Sequence, residues 1–195
     1  MRLLWSGPDD APTLVLAHSA GAPMDSPWLE TMCGALADRG IRTARFEFAY
    51  MAGRREGVRR PPPKAELSMG EYRDAVAAVR TRAAGPLWLG GKSYGGRVAS
   101  LIADDTDATG LVCLGYPFHP PEKPEQLRTA HLETLRTTTL ICQGRRDPFG
   151  GEAEVPGYPL SDAIEMRWFD GRHDIGRAPM VADAVAQFLL STPRR

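Results

Sequence analysis

Short runs, apolar or largely so, alternate along this chain with longer stretches whose apolar residues recur at helical spacing. The runs are Thr13–Ala17, Ile41–Phe48, Leu87–Leu89, Leu111–Leu114, Thr138–Cys142 and Ala163–Phe169. A strand that is apolar along its whole length is buried on both faces, whereas a one-sided strand alternates with polar residues. The intervening helical signals are equally regular. Ser26-Pro27 supplies an N-cap and a first-turn proline for Trp28, Leu29, Met32, Cys33 and Leu36, and Gly40 ends that helix. Ser68 and Glu71 have capping-box spacing ahead of Tyr72, Ala75, Val76 and Val79. Val98, Leu101 and Ile102 mark a further helix, Glu125–Leu135 another, and Val181, Val185, Phe188 and Leu189 the last. Such alternation predicts an α/β fold: a three-layer sandwich around a mostly parallel sheet of about six to seven strands. Leu3-Leu4-Trp5 is expected to add an edge strand. Neither a repeat nor a linker divides the chain, so residues 1–195 are expected to form a single domain. Between Leu114 and Thr138 there is room for a loop and one helix, but not for a separate cap domain.

Composition narrows the function classes. The 195 residues carry 24 basic and 24 acidic side chains, so no global field favours nucleic acid or an anionic membrane. No apolar run approaches the roughly 20 residues of a membrane helix, and the N-terminus lacks a signal-peptide pattern. Cys33, Cys113 and Cys142 are odd in number, lie in apolar surroundings and lack metal-ligand spacing. They are expected to be buried, reduced thiols in a cytoplasmic protein without metal or cofactor. The expected partner is a small molecule, and the oligomeric state is left open.

In parallel sheets, ligands bind beyond the carboxyl ends of the strands. At one such end stands Gly91-Lys92-Ser93-Tyr94-Gly95, a Gly-x-Ser-x-Gly sequence that follows an apolar strand and opens an amphipathic helix. In this context the serine sits on a sharp strained turn that exposes its Oγ, and the glycines remove side chains that would clash. The Gly-Lys-Ser within it does not make a phosphate-binding loop. That pattern needs glycine where Pro86 stands, and a loop where Leu87–Leu89 reads as strand. Asp147, after the Thr138–Cys142 run, can accept the Nδ1 proton of a histidine, although an Asp-Pro turn alone would also account for it. His173, after the last strand, can take a serine proton. Singly these signals are weak. Their chain order Ser93, Asp147, His173 is that of the Ser-Asp-His hydrolases built on this kind of sheet, and each role requires the other two. The loop His18-Ser19-Ala20-Gly21-Ala22 follows the first buried strand. Backbone N–H groups of Ala20 and Tyr94 are the expected oxyanion hole.

Several longer runs carry a resemblance. They are His18–Pro27, Arg45-Phe46-Glu47-Phe48, Gly90–Arg97, Gly115–Pro120, Gln143–Gly150 and His173-Asp174. Together they resemble the KANL3/Tex30 family of α/β-hydrolase-like proteins over nearly the whole chain. The resemblance implies the α/β-hydrolase fold and the same three triad positions, and it supplies no substrate. Ser19 departs from the glycine usual there and can narrow the oxyanion loop or add a donor.

The leading expectation is therefore a serine hydrolase of the carboxylesterase type, acting on a small acyl substrate. Two alternatives use the same fold: a non-catalytic interaction protein, as in a chromatin-complex subunit among the eukaryotic relatives, and a cofactor-free haloperoxidase-like activity. Ser19, Tyr116 and His119 are further candidates to contact substrate. Arg54 and Arg55 are also candidates, in a basic, proline-stiffened stretch from Gly53 to Lys64 that is expected to be an extended surface loop. His18 is expected to bond loop backbone, His131 to lie on a helix surface, and Glu47 to hold Lys92.

Overall fold

The computed structural model describes residues 1–83 and 85–192. Among them are the strands β1 (Leu4–Ser6), β2 (Thr13–Ala17), β3 (Arg42–Phe46), β4 (Leu87–Lys92), β5 (Gly110–Leu114), β6 (Thr139–Gly144) and β7 (Ile164–Phe169). They form one sheet in the order β1-β3-β2-β4-β5-β6-β7. Every pairing is parallel except that of the edge strand β1 with β3. The helices are α1 (Pro27–Ala37), α2 (Ala49–Arg55), α3 (Met69–Arg80), α4 (Tyr94–Ile102) and α5 (Ala178–Ser191).

Residue parity along the strands sorts the core into two layers. Val15, Ala17, Leu87, Leu89, Leu111 and Cys113 pack with Tyr72, Ala75 and Val79 of α3 and with Val98 and Ile102 of α4. Their chain neighbours Leu14, Leu16, Trp88, Val112 and Leu114 pack on the other face against Leu29, Met32 and Leu36 of α1 and Val181, Val185 and Leu189 of α5. Both faces of β2, β5 and β6 are covered, which is why those strands carry unbroken apolar runs. Where Gly110 enters β5, an added Cβ would lie 2.3 Å from the Trp88 ring, so only glycine lets the indole fill that layer. Tyr72 pins α3 to the strand that delivers Ser93. Its hydroxyl lies 2.7 Å from the Gly90 oxygen and 2.9 Å from the Val15 oxygen, and it accepts from Gly90 N–H at 2.9 Å.

Four sequence expectations are corrected. Glu125–Leu135 is not a helix: the segment holds a single 3-10 turn at Ala130–Leu132. Its backbone groups are claimed from outside, Arg128 N–H by the Phe118 oxygen and the Leu132 oxygen by Ser161 N–H. Ser68 and Glu71 do not make a capping box. Ser68 Oγ bonds the Tyr94 hydroxyl at 2.8 Å, and the Glu71 carboxylate caps α2 by accepting from Ala49 N–H. The basic stretch begins inside α2 and becomes extended only after Gly57. His131 is half-buried, with Nε2 at 2.8 Å from Ser100 Oγ, and burial pushes its pKa down to about 4. Among the described residues no helix is long and apolar enough to cross a membrane.

Candidate active site

The turn from β4 into α4 is forced by crowding. An added Cβ on Gly91 would stand 2.2 Å from the Gly95 carbonyl carbon, and one on Gly95 would stand 2.6 Å from the His18 oxygen. Between them Ser93 adopts φ 51° and ψ −111°, a left-handed conformation that a side-chain-bearing residue takes only when its surroundings impose it. Its N–H is anchored on the Leu114 oxygen at 2.9 Å.

Ser93 Oγ lies 2.7 Å from His173 Nε2, and His173 Nδ1 lies 2.8 Å from Asp147 Oδ2. An ionised carboxylate only accepts, so Nδ1 carries the imidazole proton and Nε2 accepts from the serine hydroxyl. The Asp147 side chain is fully buried, whereas that of His173 is 25% exposed. Asp147 Oδ1 accepts from Phe149 N–H at 2.9 Å, and Oδ2 also accepts from Gln143 Nε2 at 2.9 Å. The Phe149 ring lies against the imidazole, with centroids 4.2 Å apart. Asp170 is 89% exposed and faces Arg145, away from this chain of bonds.

The His18–Ala22 loop is tied from behind. His18 Nδ1 donates to the Ser19 oxygen at 2.7 Å, and its Nε2 accepts from Phe48 N–H at 3.1 Å. This arrangement needs the neutral ring, and burial lowers the pKa of His18 accordingly. The Tyr50 hydroxyl donates to the Ala20 oxygen at 3.2 Å. The backbone N–H groups of Ala20 and Tyr94 have no hydrogen-bond partner among the described residues, and both residues line the same cleft as Ser93. That cleft holds about 400 Å³. Pro62, Pro63, Lys64 and Ala65 form one wall, Arg97 and Arg128 another, and Pro117 and Phe149 complete it. Pro63 also lines a neighbouring hollow of about 440 Å³ over α2, so the proline stretch is the partition between the two.

Other candidates are placed elsewhere. Tyr116 and His119 are buried beneath the cleft rather than lining it. The Tyr116 hydroxyl donates to the Arg128 oxygen at 3.0 Å, and His119 Nδ1 donates to the Pro120 oxygen at 2.8 Å. Ser19 Oγ accepts from Ala22 N–H at 3.3 Å and closes its own turn. Arg55 is consumed by Glu47 and Asp25, each at 2.7 Å, while Arg54 stacks over Tyr50. Glu47 is therefore not the partner of Lys92. Lys92 Nζ instead donates to the backbone oxygen of His173, with Trp28 alongside, and burial pulls its pKa down to about 8.

Gln143 was not singled out by the sequence. Its amide accepts from Tyr116 N–H at 2.7 Å and reaches both Asp147 and the Gly150 oxygen. The available signal was a polar residue closing an otherwise apolar strand, four positions before the acid. Among the described residues no cluster of three or more His, Cys, Asp or Glu side chains could hold a metal ion.

Comparison with known proteins is consistent along the chain. A family model described as an alpha/beta hydrolase domain matches residues 10–185. An alpha-beta serine hydrolase homologue from Coxiella burnetii is 18% identical, with a TM-score of 0.75 over 96% of this chain and 90% of its own. Est1E from Butyrivibrio proteoclasticus is 15% identical, with a TM-score of 0.72 over 97% and 93%. A serine hydrolase without lid from Xanthomonas campestris is 16% identical, with a TM-score of 0.72 over 99% and 90%. At such identities the likeness to these structures is one of fold.

Proposed function

The chain belongs to the alpha/beta hydrolase domain family, and from that premise we propose that it is a serine hydrolase cleaving a small carboxylic ester or related acyl compound. The observation that carries this reading is the unbroken bond chain from Ser93 Oγ through His173 to Asp147. In the proposed cycle Ser93 Oγ attacks the acyl carbon while its proton passes to His173 Nε2. The Ala20 and Tyr94 N–H groups receive the oxyanion that forms. Collapse breaks the bond to the leaving group, which departs with the Nε2 proton and leaves an acyl-Ser93 ester. A water molecule then gives a proton to Nε2, adds to that ester and releases the acid, restoring the Ser93 hydroxyl. The open cleft and the short Leu114-to-Thr139 connection suit short acyl groups. We further propose a relationship to the KANL3/Tex30 family, which the motif runs resemble, and we take residues 1–195 as one domain.

A fluorophosphonate probe is expected to label Ser93 alone, and Ser93→Ala to remove the label. Labelling that survives in this variant would move the nucleophile elsewhere, and none in the wild type would refute the assignment and favour a scaffold. A panel of acyl lengths is expected to favour the short esters. The same triad serves a haloperoxidase-like reaction, which halide-dependent bromination of a dye would reveal.

Lys92 acts in this reading as a positioning residue, because it holds the backbone of His173 and not the substrate. Lys92→Met is expected to lower kcat about 10- to 100-fold, the scale for a slight misplacement of a reacting group. KM should change little. Steady-state kinetics beside a thermal melt separates this from loss of fold, and an unchanged kcat would remove Lys92 from the mechanism.

A further inference from the structure

We propose that the substrate carries an oxyanionic group, a carboxylate or a phosphate, which Arg128 and Arg97 hold in the cleft beside Ser93. This deepens the serine-hydrolase reading and rests on it for the identity of the reacting bond.

The lining of the cleft has one sign of charge. Lys64, Arg97 and Arg128 line it, and no carboxylate side chain does among the described residues. Arg97 stands one helical turn beyond Ser93, about 6 Å along the axis of α4, and its N–H donates to the Ser93 oxygen at 3.0 Å. Its guanidinium meets Glu66 at 2.6 Å on the outer side, where Glu66 is 50% exposed, and its Nε is buried without a hydrogen-bond partner. Arg128 is half-buried, and its guanidinium has no hydrogen-bond or ion-pair partner among the described residues. Burial and the neighbouring Arg97 charge both lower its pKa.

Several other arginines are satisfied within the fold, Arg45 and Arg54 by the Met24 and Arg60 carbonyl oxygens and three more by carboxylates. Arg42 meets Asp9, Arg39 meets Asp183, and Arg55 meets two carboxylates. Holding two guanidiniums in one cleft, with one exposed carboxylate, Glu66, paired to Arg97 alone, is unfavourable until an anion arrives, and a planar fork suits a carboxylate or phosphate. The backbone that presents Arg128 is fixed at both polar groups: its N–H donates to the Phe118 oxygen at 2.7 Å, and its carbonyl accepts from Tyr116. Of the two arginines singled out in the sequence, Arg55 is spent on acids and Arg54 stacks over Tyr50, and neither lines the cleft; the cations that do are Lys64, Arg97 and Arg128.

The test uses a matched pair, the nitrophenyl esters of butanoic and succinic acid, corrected for spontaneous hydrolysis. At low salt the succinate ester is expected to have a kcat/KM about 10- to 100-fold higher, the range for one or two hydrogen bonds to a charged group. The preference should shrink in high salt. Arg128→Met should bring the ratio close to one, while Arg128→Lys, which keeps the charge but not the fork, retains part of it. A ratio of one or less in the wild type, with Ser93 still labelled by fluorophosphonate, overturns the anion site and leaves the hydrolase reading standing. Calorimetry on Ser93→Ala with succinate and with inorganic phosphate reads binding without turnover. Saturable binding that Arg128→Met abolishes supports the site even if no ester is cleaved, and the stronger of the two ligands identifies the anion. Absence of binding by both ligands overturns it.

Discussion

Asp147→Asn is expected to lower kcat about ten-thousand-fold while the protein keeps its fold. The asparagine is nearly isosteric and can still accept from Phe149 N–H through its oxygen. The atom facing the histidine, however, stands where Gln143 Nε2 also donates at 2.9 Å. A carboxylate oxygen accepts from both neighbours. An amide NH2 in that place would oppose Gln143 and would turn His173 to the tautomer with the proton on Nε2. That ring cannot take the proton of Ser93. His173→Ala removes the base altogether, and its loss should reach about a hundred-thousand-fold or more. Steady-state turnover of a short activated ester, beside near-ultraviolet circular dichroism, checks both. Activity within tenfold of wild type for Asp147→Asn, with loss in Asp170→Asn or Asp174→Asn, would move the acid elsewhere.

Gly91→Ala is expected to be among the most damaging single-methyl changes at the described residues. The new Cβ would meet the Gly95 carbonyl carbon at 2.2 Å and Gly96 N at 2.4 Å, both backbone atoms of the first turn of α4. A flexible side chain could swing aside, but here the helix itself must shift. Overpacking of this kind costs about 3 kcal/mol or more, which for a chain of this length is a fall of roughly 6–12 °C in Tm. The Ser93 turn should open as well, so fluorophosphonate labelling falls even where the protein stays folded. Gly34→Ala is the control. Nothing lies within 4 Å of its added Cβ in the middle of α1, so a gain of about 0.5–1 kcal/mol is expected from helix propensity. If the two variants melt together, crowding at the elbow is not what fixes the turn.

The parts of the molecule that could be read in advance are those in which a residue's neighbours in space are also its neighbours in the chain. Strands buried on both faces write apolar runs, so β2 and β4–β6 were located to within a few residues. The elbow is a local sequence, and the chain order of Ser93, Asp147 and His173 names the three residues that the fold brings into hydrogen-bonding distance. Features set by distant partners were not readable. Leu127, Leu132 and Leu135 have helical spacing, yet Leu127 is 45% exposed and the segment spends its backbone bonds on Phe118 and Ser161. Arg55 resembled a substrate ligand because its acids, Asp25 and Glu47, are brought to it only by folding. Arg97 carried a faint signal, four positions after the nucleophile on the same helix face, but Arg128 carried none.

Gly144 ends β6 with its missing Cβ where the Arg172 oxygen would be 2.1 Å away. Arg145 N–H and Arg146 N–H donate to the Phe169 and Gly171 oxygens, at 2.9 and 3.0 Å. The loop bearing the acid and the loop bearing the base are thus clamped by main chain to main chain. Asp147 and His173 lie on two loops bonded to each other, and Ser93 approaches them from the end of β4. Among the described residues the side-chain bonds that join that end to those loops are Lys92 Nζ to the His173 carbonyl and Ser93 Oγ to the imidazole. In the proposed cycle the Ser93–His173 bond is the one that each turnover breaks and remakes, while the Asp147–His173 pairing stays between the two clamped loops.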